Sequence, residues 1–362
     1  MRLLICAGGT GGGVYPALAV LRAIEDSAEV LWIGGEGGME TQLIERSGIP
    51  FRTIPAAGVH GIGLRTLPGN LWQLGRGVFA SRRILREFKP DVLFFTGGYV
   101  AVPMALAGWK LPSLLYVPDI EPGLALKALS RLASRIGLTT ETSSIYFPGN
   151  SRTSVTGYPT RPELSGWDRV RGCAHLALDA SRSVLLVTGG SKGARSINRA
   201  LLASLPELLK ITQVIHISGQ LDWPEVETSA QNLAPELASN YHPMPYLHEM
   251  GAALASADLV ISRAGASSLG EYPLFGLPAV LVPYPYAWRY QKINAAYLVE
   301  KGAAVMIADA DLSSAMQRTV PELLTDKPRL EGMRTQMLSL ARPQAANELA
   351  GLVRQLAEGG AS

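Results

Sequence analysis

Twice along this chain a short apolar run breaks into a cluster of glycines and then into an apolar-periodic stretch. The first instance is Arg2 to Ala7, then Gly8-Gly9-Thr10-Gly11-Gly12-Gly13, then Val14 to Ile24 with Pro16 in its first turn. The second is Ser183 to Val187, then Gly189-Gly190-Ser191-Lys192-Gly193, then Arg195 to Leu205. A short apolar run of this kind reads as a strand buried on both faces. Glycines directly behind it let the backbone approach a ligand closely, and the N–H groups that open the next helix favour an anion. A plain tight turn needs one glycine, whereas five of the six residues from Gly8 to Gly13 are glycine. The loop is not a dinucleotide fingerprint, which begun at Gly9 would need glycine at Val14. Nor does it hold the Gly-Lys-Ser/Thr of a phosphate loop.

Between and after these two units strands and helices alternate. Strands are expected at Glu29 to Ile33, Phe51 to Ile54, Asp91 to Phe95, Ser113 to Tyr116, Arg135 to Leu138, Thr153 to Val155 and Gln213 to Ile217. Helices are expected from Met39 to Ser47, in the stretch that ends near Gly108, and from about Asp311 to Ala357. This alternation predicts an α/β chain with parallel, doubly wound sheets. Ligands of such sheets sit outside the carboxyl ends of the strands, where Thr10, Gly98 and Asp119 fall. Gly157-Tyr158-Pro159-Thr160-Arg161-Pro162 stops regular structure and reads as a linker. At 362 residues the chain has room for about two domains. The expectation is two Rossmann-like domains facing a cleft: residues 1–158, residues 159–340, and a last helix at 341–362 that returns to the first domain.

Composition narrows the function. Hydrophobic residues make up 47% and charged residues 17%, which excludes a disordered chain. A net charge of +3 argues against a nucleic-acid binder. Cys6 and Cys173 have no metal or redox spacing, and a reducing compartment is expected. No histidine pair has metal-ligand spacing, and no cofactor is expected. No apolar run is long enough to span a membrane or form a signal-peptide core, so the protein is expected to stay where it is made. No Gly-x-Ser-x-Gly elbow of a serine hydrolase appears. Asp309-Ala310-Asp311 has the look of a metal pair but directly precedes a helix, and is read as an N-cap. Gly58 to Arg86 mixes Leu64, Leu67, Leu71, Trp72, Leu74, Val78 and Phe79 with Arg65, Arg76, Arg82, Arg83 and Arg86. A basic amphipathic surface of this kind suits an anionic membrane, or else an arginine-rich solvent face of a helix packed on its own sheet.

The stretch from Ala257 to Asn294 carries the most chemistry. Asp258 to Ser262 reads as a strand, and Arg263-Ala264-Gly265-Ala266-Ser267-Ser268 places small residues and hydroxyls where a helix should start. An anion is favoured there, and Glu271, one turn in, can accept hydrogen bonds from the two adjacent hydroxyls of a ribose. Pro278 to Pro283 is the next strand, and Gln291 and Asn294 open the next helix. An anion seat, a diol acceptor and an amide cluster converge as a nucleotide would require. Without a metal, a diphosphate leaving group would need helix N-termini and arginines, and Ser191, Arg161 and Arg263 are suited to this.

These motifs taken in order resemble a known family. GGTGG at Gly8 to Gly12, GGYV at Gly97 to Val100, VTGYPTR at Val155 to Arg161, GGSKGAR at Gly189 to Arg195, and SRAGASSLGE at Ser262 to Glu271, with GLPAVLVP and QKINA after it, are similar to glycosyltransferase family 28. The resemblance is to its MurG-type peptidoglycan N-acetylglucosaminyltransferases, which convert lipid I to lipid II. It implies a GT-B fold and an inverting, metal-independent transfer from UDP-GlcNAc held mainly by the C-terminal domain. Carried over, Ser191, Leu247, Ala266, Ser267, Ser268, Leu269, Gly270, Glu271 and Gln291 would face the donor. Glu271 would hold the ribose, Arg161 would lie near the diphosphate, and Thr10, Gly11 and Gly12 would lie at the cleft. The chain departs from the family at four places: Gly13 stands for a histidine, Tyr116-Val117-Pro118-Asp119 for His-Glu-Gln-Asn, Tyr158 for an asparagine and Lys192 for a glutamine.

The expected reaction is therefore transfer of N-acetylglucosamine to a lipid-linked acceptor at the cytoplasmic face of the cell membrane, by a peripheral protein that touches an anionic membrane surface. The expected base is Asp119, which takes the position of the family asparagine, with Glu121 and His248 as rivals. The alternatives are a related transferase with another acceptor, and a nucleotide-sugar-binding protein without turnover.

Overall fold

The computed structural model describes residues 1–8, 11–24, 28–37, 44, 47–56, 67–149, 152–190, 193–285 and 290–359. They fall into two compact units, Met1–Arg161 with Pro343–Ser362, and Pro162–Arg342. Most of the helix expected from Met39 to Ser47 lies outside the described residues, as do residues 57–66, Thr10, Ser191 and Lys192.

The first unit holds β1 (Arg2–Ala7), β2 (Glu29–Gly35), β3 (Phe51–Ile54), β4 (Val92–Gly97), β5 (Ser113–Val117), β6 (Arg135–Leu138) and β7 (Thr153–Val155). They pair in the order β3-β2-β1-β4-β5-β6-β7, all parallel. Successive side chains of a strand point to opposite faces, so β1 feeds two cores. Leu4 and Cys6 join Ile33, Phe95 and Met104 on one face. Leu3 and Ile5 join Val14, Val20 and the final helix, Ala345–Gly359, through Leu349 and Val353 on the other. Arg354 Nη2 donates to Ala23 O at 2.8 Å, which ties the last helix to the first.

The second unit holds β8 (Val184–Thr188), β9 (Gln213–Ile217), β10 (Tyr241–Met244), β11 (Leu259–Ser262), β12 (Ala279–Leu281) and β13 (Ala304–Met306). Their order is β10-β9-β8-β11-β12-β13, again all parallel. In each sheet the strand order reverses beside the first strand of its unit: between β1 and β4, and between β8 and β11. A crevice opens at such a switch point, outside the carboxyl ends of the two strands. Both glycine clusters, and the Arg263 loop, follow strands that flank these points.

Three local expectations change. The first helix begins at Gly11, three residues before Val14, so Pro16 lies in its second turn. Low glycine propensity hid that first turn from the sequence. The helix after the second glycine cluster runs from Arg195 to Ile211, through Pro206 and past Leu205. Pro206 is on the exposed side, where water can serve the freed carbonyl, while Leu208 and Leu209 continue the buried stripe. Glu271 is the first residue of a short α-helix, Glu271–Phe275, reached through a 3₁₀ turn at Ala266–Leu269, not a residue one turn into a single helix.

Candidate functional site

The loop after β8 shows why its glycines are needed. Gly193 has φ +74°, and a Cβ there would lie 2.3 Å from Ser218 O. Gly190 N donates to Thr188 Oγ1 at 3.2 Å, folding the loop back over its strand end.

Behind β11, the chain passes Arg263, turns at Gly265 and enters the 3₁₀ turn. Ser268 closes this turn: its N and Oγ both donate to Gly265 O, at 3.0 and 2.7 Å. Nothing lies within 4 Å of where a Cβ of Gly265 would stand, so a ligand can come close to the backbone there. Ser267 and Glu271 are partly exposed beside it, whereas Ala266, Leu269 and Gly270 are buried and shape the turn. Tyr272 fixes the turn to the strand end through its phenol, which donates to Ser262 Oγ at 2.7 Å. Burial pushes that phenol well up, so it stays a donor.

The two amides of the following helix, Tyr290–Glu300, serve the loop backbones. Asn294 is fully buried and donates through Nδ2 to Ala264 O at 3.2 Å. Gln291 Oε1 accepts from Tyr284 N at 2.8 Å. Leu247 is half-buried in the segment after β10.

Arg263 is the site residue whose surroundings differ most from expectation. Its Nη1 donates to Asp309 Oδ1 at 2.5 Å and to Val282 O at 3.1 Å, and its Nη2 donates to Ser196 Oγ at 2.8 Å. Its guanidinium also lies over the Tyr284 ring at 5.2 Å. Asp309 is therefore an ion-pair partner and not the expected N-cap. Asp311 occupies the cap position of the next helix, and its side chain makes no cap hydrogen bond. The sequence showed the acid but not the arginine 46 residues away that it meets. Among the described residues no group of three or more His, Cys, Asp or Glu could hold a metal ion.

Behind this edge runs a buried polar chain that sequence reasoning missed. Asn198 Nδ2 donates to Ser218 O at 2.9 Å and Asp222 Oδ2 at 2.8 Å, which turns its Oδ1 to His216 Nε2 at 3.0 Å. His216 must then carry its proton on Nε2 and accept from Tyr241 Oη on Nδ1 at 2.7 Å. Burial lowers the His216 pKa to about 4, which keeps it neutral at pH 7.

Gly11, Gly12, Asp119 and Arg161 belong to the first unit. Thr96 Oγ1 donates to Gly13 O at 2.7 Å, and Gly98, with φ +86°, lets its loop come against Gly8. A Cβ at Gly13 would stand 3.4 Å from Thr96 O and Oγ1, so a side chain could be held there. Asp119 lies two residues beyond β5 and is half-buried. Burial first, and then the Asp119 carboxylate, push the phenol of Tyr116 up. Glu121 is only 2% exposed and pairs with Lys127 Nζ at 3.6 Å. His248 is exposed in the second unit and stacks edge-on to Tyr246 at 4.9 Å. The Arg161 guanidinium lies 4.9 Å from the centre of the Tyr15 ring.

Two all-parallel doubly wound sheets, each with a glycine-rich segment of sequence at its switch point, are the architecture of a GT-B glycosyltransferase. Residues 3–138 match the glycosyltransferase family 28 N-terminal domain, and residues 184–349 match the glycosyltransferase family 28 C-terminal domain. The chain belongs to glycosyltransferase family 28, in its MurG group. It is 37% identical to a protein of Desulforudis audaxviator over 99% of each chain. It is 38% identical to one of Roseiflexus sp. over 98% of this chain and 95% of the other. Both relatives bear the name UDP-N-acetylglucosamine–N-acetylmuramyl-(pentapeptide) pyrophosphoryl-undecaprenol N-acetylglucosamine transferase. The solved structure of Acinetobacter baumannii MurG matches with a TM-score of 0.78 and 25% identity, over 98% of this chain and 99% of that one. The UDP-GlcNAc 2-epimerase of Neisseria meningitidis, at 14% identity and a TM-score of 0.67, shares the fold alone.

Proposed function

We propose that this chain transfers N-acetylglucosamine from UDP-GlcNAc to the muramyl sugar of an undecaprenyl-diphosphate-linked acceptor, with inversion and without a metal. The observation that carries this reading is 37% identity over 99% of both chains to a relative named for that reaction. The second unit supplies the chemistry for the donor. The first turn of the helix after β8 and the loop after β11 offer backbone N–H groups to the diphosphate, and Glu271 accepts from the ribose hydroxyls. UDP leaves as an anion, so the same N–H groups stabilise the charge that develops during transfer.

The acceptor hydroxyl attacks the anomeric carbon as a base removes its proton. Asp119 is the base in this reading. It sits at the carboxyl edge of the first sheet, and its partial exposure leaves it accessible to an acceptor. Glu121 is buried against Lys127, and Gly13 cannot take a proton. A transferase with another acceptor is the second reading, and Gly13 in place of the family histidine favours it.

The protein works peripherally at the cytoplasmic face of the membrane in this reading. The helix Leu67–Phe88 supports it by presenting Trp72 at 71% exposure and Phe79 at 73%, with Arg76, Arg83 and Arg86 on the same helical face. No described helix is long and apolar enough to cross a membrane.

The test is UDP release from UDP-GlcNAc, with the lipid-linked muramyl acceptor, without it, and with acceptor plus chelator. Acceptor-dependent release that survives the chelator is the expected result. Absence of release with the acceptor would sink the proposal, and loss in chelator restored by magnesium would sink its metal-free part.

A further inference from the structure

Ser196, Asp309 and Arg263 meet at the carboxyl edge of the second sheet from three separate segments. Ser196 is the second residue of the helix behind the Gly189–Gly193 loop, Arg263 directly follows β11, and Asp309 lies three residues beyond β13. Ser196 Oγ donates to Asp309 Oδ1 at 2.8 Å, the same oxygen that accepts from Arg263 Nη1. Arg263 Nη1 also reaches Val282 O, which directly follows β12. One guanidinium thus joins the loops behind four adjacent strands, β8, β11, β12 and β13. Its side chain is 11% exposed and that of Asp309 24%.

We propose that Ser196 and Asp309 are positioning residues which, with Arg263, hold the start of the helix behind β8 and the loop behind β11 in register, and that Arg263 acts through this cluster and not as a clamp on the diphosphate. A planar fork that gives three of its five N–H donors to a carboxylate, a hydroxyl and a carbonyl is held toward the protein. What it controls is the spacing between the first turn of the helix Arg195–Ile211 and the Arg263–Gly270 loop, both of which carry backbone N–H groups for the donor in that reading. A misplacement of about 1 Å in such a frame can cost on the order of 100-fold in rate. The proposal rests on the reading of the second unit as the UDP-sugar site.

The sign of one substitution separates the two roles. Asp309→Asn keeps the shape and removes the charge. If the cluster positions the loops, this variant raises the KM for UDP-GlcNAc by about 10-fold, because the hydrogen bonds from Arg263 and Ser196 to Oδ1 lose their charge assistance. If Arg263 clamps the diphosphate, freeing it from Asp309 leaves KM unchanged or lowers it. Arg263→Lys keeps the charge but loses the fork, and should raise KM as far as Asp309→Asn does. Ser196→Ala is the mild variant that keeps the test usable should the others fail to fold, and is expected to raise KM about 5-fold. Donor KM, kcat and the melting temperature of the second unit are measured together. A rise in KM with a melting temperature within a few degrees of the parent supports positioning. A melting temperature that falls while KM stays within 2-fold shows a merely structural cluster and overturns the proposal. A parent that neither binds UDP nor turns over UDP-GlcNAc overturns the donor-site reading itself. A competent parent with an unchanged or tighter Asp309→Asn variant overturns only the cluster.

Discussion

At the scale of single residues, the proposed function gives two carboxylates separable jobs. Glu271 opens its helix and stands partly exposed beside the open space over Gly265. Losing a charged acceptor there should cost about 1.5–3 kcal/mol of donor binding. Calorimetry on Glu271→Ala checks this, and unchanged affinity in a folded variant would remove the ribose assignment. Asp119 is the base in the proposed function. Asp119→Asn keeps shape and most hydrogen bonding but cannot take a proton, so turnover should fall by about 10²–10⁴-fold with donor affinity nearly constant. Turnover within a few-fold of the parent would make Asp119 structural and move attention to Glu121 or His248. Residue types and their positions in the sequence picked out both acids as candidates. They could not show that Glu121 is sealed in an ion pair, since Lys127 joins it only once the chain folds.

At the scale of elements, two devices can be tested. The helix Leu67–Phe88 repeats its exposed residues at near-helical spacing, so Trp72, Arg76, Phe79, Arg83 and Arg86 share a face. Glu87 partly offsets this charge, pairing with Arg83 at 2.8 Å and Arg52 at 2.7 Å. Each basic residue near an anionic surface contributes about 1 kcal/mol, screened by salt. Replacing Arg76, Arg82, Arg83 and Arg86 with Gln should weaken sedimentation with anionic vesicles and abolish its salt dependence. Equal sedimentation of both proteins at low salt would rule out the membrane role. The amphipathic pattern was legible in advance, because exposure on a long helix follows from its period. The second device is the buried chain through His216, which links β9 and β10 to the helix Arg195–Ile211. Its folded pKa, about 4, is below the ordinary 6.5. The folded state therefore binds fewer protons than the unfolded one between these values, and stability falls as pH falls. The contribution is complete above about pH 6.5, is lost progressively toward pH 4, and amounts to about 3 kcal/mol at most. Denaturation midpoints at pH 7 and pH 5 should differ more for the parent than for His216→Gln. Equal differences would show that His216 does not titrate in this way.

At the scale of the whole molecule, the two ends of the chain share one core. Leu349 is fully buried among residues of β1 and the first helix, and a Cβ on Gly137 would come within 2.6 Å of it. Leu349→Ala should destabilise the first unit by about 2–5 kcal/mol. Chemical denaturation should show the transition of the first unit moving while that of the second stays; an unmoved first transition would contradict this packing. What the sequence by itself determined is what depends on neighbours along the chain. Apolar runs bounded by glycines defined the strands, and their alternation with helices defined the parallel sheets. Hydroxyls, glycines and Glu271 marked the loop after β11 as a candidate anion site, because a loop that approaches an anion needs those residue types in that local order. What only the tertiary structure decided is which side chains meet across the sheets. Arg263 looked available for a phosphate until Asp309 and Ser196 converged on it, and His216 had no visible partner until Asn198 and Tyr241 enclosed it. Such pairings depend on strand order and on the register between parallel strands, which place residues tens of positions apart within hydrogen-bond reach and leave no local trace in the chain.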